Sequence, residues 1–170
     1  MRAASVFGAA ALAFVAPCGS GFGAPAPMAP ILSFAELATP LPAPYDPNAD
    51  AHAQVAAAQV EARAGGKLLL IEMGGNWCAD CRILDGFMKL PAIAAFVRAH
   101  YVVVEIDAGH MNRNLDIAAR WGVGRLDGVP NILIVDGHNR LINAGHTAAL
   151  TDVRSLEPQA LADWLARWTP

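Results

Sequence analysis

A short apolar run ends in a glycine turn that leads directly into two cysteines set two residues apart. The run is Lys67-Leu-Leu-Leu-Ile-Glu-Met73, the turn Gly74-Gly75-Asn76, and the cysteines lie in Trp77-Cys78-Ala79-Asp80-Cys81-Arg82. Bounded upstream by Gly65-Gly66, the run is too short for a helix of its own and reads as a buried strand. The cysteine segment opens a helix, with Cys78 at its N-terminal end and Cys81 one turn further in. Unpaired amides and the helix dipole stabilise a thiolate at that end, below the ordinary thiol value of about 8.5. A two-residue spacing closes too small a loop to restrain an unfolded chain, so a structural disulfide is a poor account of the pair. Structural zinc needs two further ligands; there is no second cysteine pair, and neither His110 nor His138 stands at ligand spacing. Redox exchange, or soft-metal binding by two thiolates, is what the pair is suited to.

The rest of the chain is read outward from that strand. Asn48 or Asp50 caps a helix over His52 to Ala64, stopped by Gly65-Gly66. Pro91 interrupts the cysteine helix; beyond it Ile93, Phe96 and Val97 share one helical face as far as His100. Tyr101 to Ile106 (YVVVEI) is dense in β-branched residues and reads as a strand buried on both sides. Leu115 to Trp121 is a short helix ended by Gly122. Asn131 to Val135 and Arg140 to Ala144 flank Asp136-Gly137-His138-Asn139, a hairpin signal. Pro158 opens a last helix carrying Leu161, Trp164, Leu165 and Trp168. The order α-β-α-β-α-β-β-α predicts an α/β fold, a central mixed sheet with helices on both faces. With 170 residues, 55% of them hydrophobic, there is material for one such core and not two. A net charge of −3 without a basic run excludes nucleic acid as the main partner.

The N-terminus reads differently. Arg2 precedes an uncharged apolar stretch, Ala3 to Ala16, broken by Pro17-Cys18-Gly19-Ser20. About 14 apolar residues fall short of the ~20 that cross a bilayer, so residues 1–23 read as an export signal. Cys18 leaves with it, unless Val15-Ala16-Pro17-Cys18 serves as a lipoprotein box, a pattern in which Pro17 is atypical. Residues 24–47, rich in Pro and Ala, read as an extended tether, and 48–170 as the folded domain.

The string Trp77-Cys78-Ala79-Asp80-Cys81-Arg82, set after an apolar strand, resembles the active-site motif of the thioredoxin-like family, and the element order from about residue 50 to 168 resembles it too. The resemblance implies a thioredoxin-like fold. It implies a nucleophile at Cys78, a resolving thiol at Cys81 and a cis bond at Val129-Pro130 facing them. It further implies a buried proton acceptor at Glu72, six residues before Cys78, and a Trp77 that packs beside the pair and limits water. The backbone of Val129 would pair with an extended substrate. No cofactor or metal is called for, and a monomer is expected.

Two departures from that family stand out. Ala79-Asp80 lies between the cysteines, where thioredoxin has Gly-Pro, and the charge of Asp80 is expected to disfavour a thiolate at Cys78. That makes the disulfide less oxidising and points to a reductase or electron carrier. The polar stretches at 107–114 and 147–157 read as insertions whose use the sequence does not show; His110, Met111 and Arg113 read as a solvated loop, with contact to a partner as the alternative. The expected function is thus exchange with protein thiols and disulfides after export, in the periplasm if the host is Gram-negative, with a membrane electron carrier as reductant. Two other readings stay open on the residues: a copper-binding chaperone using both thiolates, and a docking domain with little turnover.

Overall fold

The structure, a computed structural model, describes residues 23–170. The expected leader, with Cys18, therefore lies outside the described residues apart from Gly23. Three strands form one sheet in the order β2-β1-β3. β1 (Leu68–Gly74) occupies the centre, parallel to β2 (Tyr101–Asp107) and antiparallel to β3 (Asn131–Val135). All seven residues of β1 are buried, as a strand flanked and covered on every side must be. The sheet is mixed and carries helices on both faces, as the element order implies.

Alternation along β1 divides the core. Leu69, Ile71 and Met73 pack in a cluster with Val55, Ala58 and Ala62 of α1 (Ala51–Ala64) and with Ile117 and Ala118 of α4 (Leu115–Ala119). Leu68 and Leu70 face the other cluster. There they join Leu84 and Phe87 of α2 (Ala79–Met88), Ile93, Phe96 and Val97 of α3 (Pro91–His100), and Leu161 and Leu165 of α5 (Pro158–Ala166). Asp50 caps α1 by accepting from the Ala53 amide at 3.0 Å, and Pro91 starts α3 at a position where no amide donor is needed.

Two expectations change. Arg140 to Ala144 is not a second hairpin strand: it makes a single bridge, Val135 to Leu141. Asn143 is the physical reason. Its side chain accepts from the Ile134 amide at 2.9 Å and donates to the Ile132 carbonyl at 2.8 Å, taking the place of strand backbone along the outer edge of β3. The Pro/Ala-rich segment, expected as a tether, is extended but laid against the domain as a strap. Leu37 and Tyr45 are buried, the Ala24 amide donates to Thr169 Oγ1 at 2.8 Å, and Arg82 donates to the carbonyls of Pro42 and Leu41 at 2.7 and 2.6 Å. Its apolar residues find cover that an isolated linker lacks.

Candidate active site

β1 runs out at Gly74, and the next turn is closed by the Cys78 amide donating to the Gly75 carbonyl at 3.0 Å. Cys78 is the N-cap of α2, and its Sγ accepts from the Cys81 amide at 3.2 Å. Sulfur thus fills the capping role that an oxygen usually takes. On its other side Sγ lies 3.6 Å from the Val129 carbonyl, to which the thiol can donate. Both cysteines are free thiols, Cys78 6% exposed and Cys81 fully buried. The hydrogen bond from the Cys81 side chain pulls the Cys78 thiol down to about 7, aided by the Cys81 amide and opposed by burial. That same bond, with burial, pushes Cys81 well up. At neutral pH the Cys78 sulfur is therefore partly ionised, while Cys81 keeps its proton.

Asp80 acts on Cys78 in the expected direction, raising its thiol, but weakly. Burial by itself would push its carboxyl up, but Arg154 overcomes that and holds it below the ordinary carboxylate range. The Arg154 guanidinium forms a fork on both carboxylate oxygens, with Nε at 3.0 and 3.2 Å, and the Arg154 backbone amide adds a bond at 3.1 Å. The charge beside the thiols is thereby paired; Asp80 still opposes the Cys78 thiolate, but only as a minor influence. Arg154 comes from the 147–157 stretch, in a short 3-10 turn (Val153–Ser155) against α2. The stretch, whose use the sequence does not show, is thus a buttress for the first turn of α2.

Glu72 is fully buried at the end of β1. Burial pushes its carboxyl up to about 8, with Glu105, Asp85 and Cys78 adding to the rise and the bond from Tyr45 opposing it. The Tyr45 hydroxyl donates to Glu72 Oε1, whereas Oε2 is buried without a partner. Sequence reasoning missed Tyr45 altogether. The one available signal was an aromatic residue set among the prolines of a segment otherwise made of small residues.

The Val129–Pro130 bond is cis, and the Val129 carbonyl stands beside Cys78. Trp77 lies at the rim, half exposed, its indole donating to the Gly109 carbonyl at 2.8 Å and stacked on His110 at 4.5 Å. The 107–114 loop thus fixes the indole from behind, and Met111 is exposed close by in sequence. His138 is not at this site; it lies in the turn at the other end of β3, its amide bonded to Asp136. Among the described residues, no group of three or more His, Cys, Asp or Glu side chains is placed to hold a metal ion.

Comparison with known proteins bears on the fold and the family. A family model described as thioredoxin-like matches residues 50–137. A solved structure described as a disulphide isomerase from Xylella fastidiosa is 32% identical, with a TM-score of 0.70; the alignment covers 75% of this chain and 97% of that one. The germline-specific thioredoxin Deadhead of the fruit fly is 22% identical at a TM-score of 0.37, over 49% of this chain and 70% of that one. No curated protein is significantly similar in sequence.

Proposed function

The chain belongs to the thioredoxin-like family and is a thiol–disulfide oxidoreductase; on that footing we propose that Cys78 and Cys81 are its redox pair and that it reduces protein disulfides or carries electrons to them. The observation that carries the reading is the contrast between the two thiols. Cys78, capping α2 and drawn down to about 7, is partly thiolate at neutral pH. A nucleophile near 7 suits a reducing dithiol, whereas a strong oxidant has one near 3.5.

The reaction balances within the pair and the substrate. The Cys78 thiolate attacks one sulfur of a substrate disulfide, and the other sulfur departs as a thiolate that takes a proton. Cys81 then gives up its proton and attacks Cys78 Sγ. The Cys78–Cys81 disulfide forms, and the second substrate sulfur leaves reduced. Two electrons pass from the pair to the substrate. Glu72, fully buried beneath, is the proton acceptor for the second step. Val129 offers backbone beside Cys78 for an extended substrate segment, and Trp77 with His110 forms the rim that such a segment would cross. The apolar leader at residues 1–23 supports export, where a membrane electron carrier would return the pair to its dithiol form.

Cys81→Ser expressed in the native host tests the reading. It accumulates mixed disulfides through Cys78, whose protein partners name the substrates. If none form under conditions that trap a control thioredoxin, the exchange reading fails. The Xylella neighbour's description as a disulphide isomerase makes net reduction the quantity to score, since an isomerase rearranges its substrate without consuming the dithiol.

A further inference from the structure

Resolution of the mixed disulfide requires Cys81 to lose a proton inside a sealed pocket. Its thiol is fully buried and pushed up by its bond to Cys78 and by burial, so a proton path must be built into the protein. The strap supplies a group at that place. Tyr45, 2% exposed, inserts its hydroxyl between Glu72 and the start of α2. Gly74 shows how close it comes: a Cβ at that position would meet Tyr45 Oη at 2.5 Å and Cys81 Sγ at 2.8 Å. Phenol oxygen and thiol sulfur therefore share one small space over the Gly74 backbone, with the phenol already donating to Glu72 Oε1.

We propose that Tyr45 carries the proton from Cys81 to Glu72 during resolution, so that a residue of the N-terminal strap belongs to the catalytic machinery. The proposal rests on Cys78 and Cys81 being the redox pair. In the mixed disulfide, in the molecules whose Glu72 is a carboxylate, the Cys81 S–H gives its proton to the phenol oxygen as the phenol gives its own to Glu72 Oε1, leaving Glu72 as the neutral acid. Sγ of Cys81, left with the electron pair, bonds to Cys78 Sγ, and the substrate sulfur leaves with the electrons of the broken bond. Tyr45 ends as it began, a neutral phenol.

The surroundings favour such a hand-over and not a free tyrosinate. Burial, with Glu72 and Cys81 adding to it, pushes the phenol well above its ordinary range, so Tyr45 passes a proton without ionising. The other groups acting on Glu72 are Glu105 of β2, Asp85 of α2 and Cys78, all of which raise its affinity for a proton. Of these, Asp85 is paired with Lys89 at 2.6 Å.

Ellman's reagent, added at one equivalent to the reduced protein, separates the two steps. One coloured thiolate is released when Cys78 attacks, and the second when Cys81 resolves. Tyr45→Phe, confirmed as folded by circular dichroism, leaves the first phase within about twofold. It slows the second by about 100-fold, at the lower end of what a positioned proton carrier contributes. Adding Glu72→Gln to Tyr45→Phe costs little more, because the two act in one path. A second phase unaltered by Tyr45→Phe, or slowed by the two substitutions as independent factors, overturns the relay. Should Tyr45→Phe fail to fold, the unaltered protein carries the test: a second phase insensitive to heavy water overturns it. If the unaltered protein releases no second thiolate at all, the redox-pair reading falls and the relay with it.

Discussion

Gly74 is where strand, strap and redox helix come closest, and its missing side chain is what lets them meet. Gly74→Ala places a Cβ 2.8 Å from both Tyr45 Cζ and Cys81 Sγ, a separation that must be relieved by moving the ring or the helix start. Overpacking of this kind costs about 1–3 kcal/mol, and chemical denaturation should show a loss in that range together with slower resolution. Glu72 makes a prediction of opposite character. Its carboxyl titrates near 8 when folded against 4.5 ordinarily, so the folded state holds the proton more tightly. That contribution to stability is complete below the unfolded value and is lost as pH rises towards the folded one. Between about pH 5 and pH 7 the thermal midpoint therefore declines, and Glu72→Gln flattens the decline; an equal slope in both proteins would contradict the burial of an ionisable group there. Cys78 and Cys81 were legible in the sequence from their spacing after one strand, and Glu72 from the family resemblance that this motif carries. Tyr45 and Arg154 were not, since their partners lie 27 and 74 residues away and nothing local marks the contact.

Among the elements, α2 draws on every part of the chain. Its N-terminus is capped by Cys78, its first turn is held through Asp80 by Arg154, and Gly86 in its last turn leaves room for Leu37 of the strap, whose Cδ1 is 2.9 Å from where a Cβ would sit. Arg154→Ala leaves the Asp80 carboxylate unpaired beside the thiols. The Cys78 midpoint then moves up from about 7, and alkylation at neutral pH slows by about twofold, as half a pKa step from that midpoint would give. Asp80→Asn in the same protein restores the rate. A midpoint unmoved by Arg154→Ala, followed by the ultraviolet absorbance of the thiolate, would show that the pairing does not reach the sulfur. Leu37→Ala is expected to cost about 2 kcal/mol in denaturant, at the low end for a buried leucine because the strap can settle inward. The helices and β1, β2 and β3 were legible from periodicity and from their Gly and Pro stops. The outer edge of β3 was not, because a side chain, that of Asn143, supplies bonds that pattern reasoning assigns to backbone.

At the scale of the whole molecule, a three-stranded sheet with helices on both faces is stiffened by two segments that composition marked as peripheral. The strap brings Tyr45 beneath the thiols and the 147–157 stretch brings Arg154 to Asp80, so each places one residue beside the pair. Pro- and polar-rich stretches look expendable in a sequence because their packing partners are distant, and burial alone reveals what they hold. The central claim is that this pair is a reducing two-electron couple. Equilibration of the protein against graded glutathione mixtures, scored by counting free thiols, tests it most directly. A single Cys78–Cys81 couple more negative than about −150 mV, absent in Cys78→Ser, is the predicted result. A couple above that value, or thiols that never pair across the titration, would contradict the account.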